Sequence, residues 1–264
     1  MDIKNTLKAH KHNDLIQARY SALTMPEQLL LLAVIGQSDP RKLTAETPVE
    51  LTVSAFRDLV DAKGGSSYDE LKKAVKRLYN RSVIIANPDP DDPALTETET
   101  RWISSINYYK GDGRIRLYFA PKIIPYLANL NSNYTSFFIR HVANFKSKYG
   151  VRLYELLIQW RSKGSREIEI DWLRKTWQLE NKYKAMKDLK KDVIAPAMKD
   201  INQHSNFWVK FGQRKSGRRV VAFQFTFGLK HPENKKKKLT REYIEKHARP
   251  GETWEQAAAR LKSA

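Results

Sequence analysis

Apolar residues along this chain fall into helical and alternating rhythms, and the order of those rhythms occurs twice. Leu15, Ile16, Tyr20 and Leu23 lie at helical spacing and lead into the apolar block EQLLLLAVI over 27–35. Thr24 ahead of Pro26 and Glu27 predicts the start of that helix, because threonine caps and proline is tolerated in a first turn. Gly36 with Ser38, Asp39 and Pro40 predicts its end. ELTV over 50–53 reads as extended, after which Ser54 caps a helix carrying Phe56, Leu59 and Val60 that stops at Gly64 and Gly65. Ser66 or Ser67 caps the next helix. There Leu71, Val75 and Leu78 form a stripe, Lys72, Lys73, Lys76 and Arg77 take the other surface, and Asp69 and Glu70 suit the positive end. SVII over 82–85 is a strand. Residues 86–100, with three prolines and five acids, read as an exposed loop. Strands near 102–108 and 114–120 are joined by the hairpin signal Lys110-Gly-Asp-Gly113.

Residues 120–133 predict a short helix and a polar linker, and then the order returns. A helix SFFIRHVANF leads into the longer KYGVRLYELLIQWRSKG, ended by Gly164. The strand EIEI follows, and Asp171 caps DWLRKTWQL. In 181–201, Met186, Leu189, Val193, Ala197 and Ile201 make an apolar stripe. Lys184, Lys187 and Lys191 make a second line, with Lys182 and Lys190 beside it. Pro196 lacks an N–H and predicts a helix in two parts, 182–194 and 196–203. FWVKFGQRKSGRRVVAFQFTF then reads as two strands around a basic tip of Arg214, Lys215, Arg218 and Arg219. A lysine-faced helix followed by a basic hairpin is the layout of a winged helix on DNA. Leu71-Lys-Lys73 and Leu189-Lys-Lys191 sit at corresponding points of the two halves.

Charge sharpens this picture. The chain of 264 residues carries 48 Lys+Arg against 29 Asp+Glu, a net charge of +19, with 41% hydrophobic residues to build cores. Residues 180–219 alone hold 11 basic and 4 acidic side chains. Such an excess points to a polyanionic partner, with nucleic acid ahead of a membrane surface. No cysteine is present, which excludes disulfides and thiolate metal sites. The polar N-terminus is not a signal peptide, and the apolar run 29–35 is too short to span a bilayer. A reducing, cytoplasmic setting is the expectation.

Catalytic signals are lacking. No phosphate-cradling glycine loop occurs, and the histidines have no metal-ligand spacing. His10-Lys-His12 superficially matches the metal-holding pair of rolling-circle nickases. That motif needs an apolar central residue on a buried strand, whereas Lys11 reads as part of a polar arm. No catalytic residue, metal or cofactor is expected.

KYGVRLYELLIQW, ending at Trp160, together with FIRHVANFKS before it, resembles the iteron-binding replication initiator (Rep) family of theta-replicating bacterial plasmids. LIQARYSALTMPEQLLLLAVI and KDLKKDVIAPAMKDIN fit the same pattern, so the resemblance covers about residues 13–229. It implies an α+β fold of two tandem winged-helix domains of similar topology. The expected divisions are a flexible arm 1–12, a first domain 13–130, a second 134–229 and a flexible basic tail 230–264. The implied protein is a DNA-binding initiator. Its monomers bind double-stranded origin iterons, assist melting of an A·T-rich region and recruit the host DnaA-type initiator and DnaB-type helicase. Homodimers joined through the first winged helix bind an operator inverted repeat and repress the protein's own gene. Carried onto this chain, the second recognition helix offers Lys182, Tyr183, Lys184, Lys187, Lys190 and Lys191, and its wing Arg214, Lys215, Arg218 and Arg219. Ser66, Ser67, Tyr68, Lys72, Lys73 and Lys76 correspond in the first domain. The family tends to place arginines on the second helix, suited to bidentate guanine readout, where this chain has lysines. A winged-helix transcription repressor without an initiator role is the alternative in the same class. A nickase forming a phosphotyrosine link is the enzymatic one.

Overall fold

The computed structural model describes residues 3–20, 23–60, 68–230 and 252–263. A short helix α1 (Ile3–Thr6) precedes strand β1 (Lys8–His12), which pairs antiparallel along its whole length with Tyr134–Phe138. From residue 8 onward the expected frayed arm is therefore a strand, with Ala9 and Lys11 buried. Its partner lies more than 120 residues away, so nothing local announced it.

The first winged helix follows. Helix α2 (Asn13–Gln17) and strand β2 (Arg19–Tyr20) replace the longer helix expected from residue 13. Helix α3 (Met25–Gln37) starts where threonine capping placed it: Glu27 N donates to Thr24 Oγ1 at 3.4 Å and Thr24 N to Glu27 Oε2 at 2.7 Å. Glu27 is fully buried and also accepts from Arg81 at 3.1 Å, so the box doubles as a tie to the next layer. Thr24→Ala is expected to cost about 1 kcal/mol, read as a lower urea midpoint with an unchanged slope. An unshifted midpoint would show that the box contributes nothing.

Strand β3 (Val49–Thr52), helix α4 (Val53–Val60) and helix α5 (Tyr68–Tyr79) come next. Thr52 rather than Ser54 accepts the first-turn N–H of α4, from Ala55 at 3.1 Å. Leu71, Ala74, Val75 and Leu78 of α5 are buried, while Lys72, Lys73, Lys76 and Arg77 face out. The segments β4 (Ser82–Ala86) and β5 (Glu97–Arg101) pair antiparallel, so the expected loop 86–100 ends in a strand. ETETR lacks an apolar alternation because neither of its faces is buried. The wing is β6 (Ile103–Tyr109) and β7 (Arg114–Phe119), with Ile115, Leu117 and Phe119 facing the core. A 3-10 turn (Pro121–Tyr126) stands where a short helix was expected.

SFFIRHVANF, expected to be helical, is strand β8 (Tyr134–Phe138), the partner of β1, followed by a 3-10 turn (Ile139–His141). Alternating burial along β8 explains it: Thr135 and Phe137 point inward. This pairing joins residues before 13 to residues after 134, across the boundary drawn at 130–134.

The second winged helix comprises α6 (Gly150–Ile158), β9 (Ser165–Glu169) and α7 (Ile170–Thr176), in which Glu169 is the cap and Asp171 lies in the first turn. The next helix does not break at Pro196. It runs as α8 (Met186–Asp188), a π segment (Leu189–Ile194) and α9 (Ala195–His204). The wide turn relieves the clash of the proline ring with the carbonyl four residues back. The hairpin β10 (Phe207–Ser216) and β11 (Arg219–Leu229) closes the domain, with Gly217 at φ 58° in the turn.

Helix, strand, helix, helix, hairpin thus occurs twice, as α3–β3–α4–α5–β6–β7 and as α6–β9–α7–α8/α9–β10–β11. In both, the single strand pairs with the second strand of the hairpin, β3 with β7 and β9 with β11. Residues 1–228 form one compact unit. The unit 229–264 includes helix α10 (Trp254–Ser263), whose Thr253 and Gln256 form a capping box. Residues 231–251 of the expected basic tail lie outside the described residues. Among the described residues no helix is long and apolar enough to cross a membrane.

Candidate nucleic-acid interface

Position on the second recognition helix follows from what its apolar side must do. Leu189, Val193, Ile194, Ala197 and Ile201 are buried, at no more than 1% exposure, which fixes the helix's roll. That roll leaves Lys187 and Lys191 exposed on the outer face, and neither has an ion-pair partner among the described residues. Lys190 is half-buried instead, and its Nζ donates to Gln213 Oε1 on β10. It is a strut between helix and wing.

The helix begins at Met186, so Lys182, Tyr183 and Lys184 lie in the turn before it. Arg174 shapes that turn, a role sequence reading missed. Its guanidinium donates to the carbonyls of Leu179, Lys182, Tyr183 and Lys184 at 2.7–3.3 Å. Lys182 and Lys184 remain exposed. Tyr183, at φ 50°, lies edge-on to Tyr149, and Tyr149 stacks on Trp177 at 5.6 Å. Burial, then hydrogen bonding with Tyr183, pushes the Tyr149 phenol above its usual range. Tyr183 thus anchors the turn, a packing role that competes with any contact to DNA.

The wing's cations divide into two kinds. Arg214 Nε donates to Glu167 Oε1 at 2.9 Å and its Nη2 to Glu169 Oε1, both on β9. Gln224 and Arg214 hold the Glu167 carboxyl below its ordinary range. Arg219 faces Asp171 at 3.4 Å. Lys215 and Arg218, at the tip, are exposed with no ion-pair partner among the described residues. Arg214 is therefore held by the strand beneath it, while Arg219 makes only a solvent-exposed pair with Asp171.

In the first domain Ser66 and Ser67 fall outside the described residues. Lys72 lies 5.1 Å from the Tyr108 ring and Lys76 4.9 Å from that of Tyr79, which Arg101 approaches from 5.1 Å. Lys73 is exposed. The hydroxyl of Tyr68 is buried with no hydrogen-bond partner among the described residues, and Tyr68 packs against the core. The lysines of α5, its own Tyr79 and Tyr108 of the neighbouring hairpin thus make one basic, aromatic surface.

His10 and His12 lie on β1, with Lys11 between them on the buried side. His12 Nδ1 accepts from Asp14 N at 3.3 Å, a helix-capping contact. Lys11 was expected in solvent. It instead donates to Glu155 Oε1 at 2.7 Å inside the core.

A helix with a free lysine face, seated beside a hairpin with a cationic tip and present in two copies, defines a tandem winged-helix DNA-binding protein. Residues 8–158 match the family described as initiator replication protein, WH1, and residues 169–227 its second domain, initiator Rep protein, WH2. The chain belongs to this initiator family, whose work is DNA binding and not catalysis. The two matches part between 158 and 169, later than the division at 130–134. A replication initiation protein of Escherichia coli is 29% identical over 230 residues, spanning 83% of this chain and 69% of the relative. An uncharacterized 27.6 kDa protein of Escherichia coli is 21% identical, over 82% of this chain and 93% of its own length. Among solved structures, the Pi initiator protein in complex with iteron DNA superposes with a TM-score of 0.70 at 21% identity. It covers 86% of this chain and 99% of that one, a likeness of fold.

Proposed function

We propose that this protein initiates replication by binding directly repeated duplex sites in an origin, each winged helix placing a recognition helix in the major groove. The observation that carries the reading is the pair Lys187 and Lys191, exposed and without an ion-pair partner among the described residues, on a helix whose opposite face is locked in the core. Membership of the initiator family supports it, as does a relative of the same fold solved on iteron DNA. The proposal extends to melting of an adjacent A·T-rich tract and recruitment of the host DnaA-type initiator and DnaB-type helicase. It also includes repression of its own gene by a dimer formed through the first winged helix.

Footprinting on DNA flanking the gene tests the core of this. Protection of tandem repeats spaced by about two helical turns, roughly 20 bp, is expected. Protection of one inverted repeat alone would favour a repressor. A protein-bound nick in supercoiled origin DNA with Mg²⁺ would overturn the non-enzymatic reading. Salt provides a second check. With about six to ten phosphates neutralised, affinity falls roughly 10³- to 10⁵-fold between about 50 and 200 mM salt. A flat response would point to an apolar protein partner.

A further inference from the structure

An open cleft of about 430 Å³ lies beside the recognition helix, on a face that the groove-reading lysines leave unused. One wall is the turn of Lys146, Ser147, Lys148 and Tyr149 that leads into α6. The other carries Asp192, Pro196, Lys199 and Gln203. Lys146 and Lys199 are exposed and Lys148 is half-buried, and none of the three has an ion-pair partner among the described residues.

Two carboxylates share the cleft. Asp200 is only 5% exposed, and its Oδ2 already accepts the N–H groups of Lys146 at 2.9 Å and Ser147 at 2.6 Å. Those two N–H groups are therefore not open to a ligand. Asp200 instead pins the turn carrying two of the lysines against the helix carrying the third. Asp192 is exposed, and Lys148 Nζ lies 5.1 Å from the Tyr149 ring, so the cleft sets three ammonium groups without an ion-pair partner among the described residues against one exposed carboxylate.

The cleft's place on the helix gives it a partner. Lys190 contacts the wing, while Asp192 lines the cleft. Two residues apart in the wide π segment, those positions lie on nearly opposite sides of the helix. A helix in the major groove, a channel about 12 Å wide, has one sugar–phosphate strand along each flank. The wing and the cleft lie on opposite flanks of such a helix.

We propose that this cleft is a phosphate seat. Lys146, Lys148 and Lys199 take the DNA backbone on the flank away from the wing, and they do so without reading bases. The inference rests on the groove-reading assignment above and adds a sequence-independent contact to it.

The test compares two variants of the full chain, Lys146→Gln/Lys199→Gln and Lys187→Ala/Lys191→Ala. Each is titrated with repeat DNA and with a scrambled duplex across a salt series. For the first variant, affinity is expected to fall roughly tenfold or more on both duplexes at about 0.1 M salt. Its slope of log K against log salt should flatten by about 1.8, some 0.9 for each phosphate no longer neutralised. The ratio between the duplexes should hold, and so should the melting temperature, since both side chains are exposed. An unchanged slope, or a loss confined to the repeat DNA, overturns the seat. If that happens while the second variant loses its preference for repeat DNA, the groove reading stands alone. Undiminished preference in the second variant defeats the groove reading itself.

Discussion

Lys11→Ala is expected to destabilise the protein by about 3–5 kcal/mol, far more than loss of a surface lysine. The Nζ of Lys11 lies 2.7 Å from Glu155 Oε1, and the two side chains are 3% and 0% exposed. Arg152 stands beside them, donating to the carbonyls of Ile16 at 2.9 Å and Ala18 at 2.8 Å and lying 3.8 Å from the Tyr20 ring. The Tyr20 hydroxyl completes the group, 3.5 Å from Glu155 Oε2. Burial pulls the Lys11 ammonium below its usual range, and the Glu155 charge opposes that pull. Removing Lys11 alone strands a carboxylate in the core. Removing both charges together, as Lys11→Met/Glu155→Leu, is expected to restore most of the loss, because an apolar pair of similar volume carries no desolvation cost. Urea unfolding of both variants decides the matter. A shift below about 0.5 kcal/mol for Lys11→Ala would mean that water reaches the pair and the network is not a structural tie.

Lys187→Ala/Lys191→Ala is expected to lower affinity for repeat DNA about 10²-fold, taking about 1.5 kcal/mol for each ammonium–DNA interaction removed. Stability is expected to stay within about 0.5 kcal/mol, because neither side chain touches the core. The contrast with Lys11 is sharp: one lysine costs folding and leaves the DNA face intact, and two others do the reverse. Equal DNA binding by the double variant would remove the central functional reading. Arg214→Ala makes a useful control. With both of its carboxylate partners on β9, its loss is expected to loosen the wing more than to weaken the grip on DNA.

The parts of this fold that were legible in the sequence are those set by neighbours. The helix start at Thr24, the basic turn at 214–219, the hairpins and the duplicated order all follow from residues within a few positions of each other. What was not legible depends on partners far along the chain. Lys11 looks like an arm residue until Glu155, 144 positions on, is brought against it. SFF reads as helical until β1 pairs with it. The same limit holds at the interface. Composition placed a positive surface on 180–219 but did not separate Lys191, free in solvent, from Lys190 and Arg214, each held by a partner. Lys146 and Lys148 carry no local signal, because they stand in a turn about 40 residues before the recognition helix they adjoin.

The π segment at Leu189–Ile194 has one further consequence. A wide turn takes up one more residue than an α-turn for the same advance, so it acts as an angular offset between the two ends of the helix. Lys187 lies ahead of the offset and Lys199 behind it. Their relative bearing around the axis is therefore set by the length of the segment and not by side-chain chemistry. Deleting a single residue there would restore a regular helix with the two cationic groups still in phase, whereas winding all the residues into an unbroken α-helix would rotate one against the other by roughly 100°. Only in that second case would the two ends be out of phase on any duplex that both are to grip, with every lysine still present.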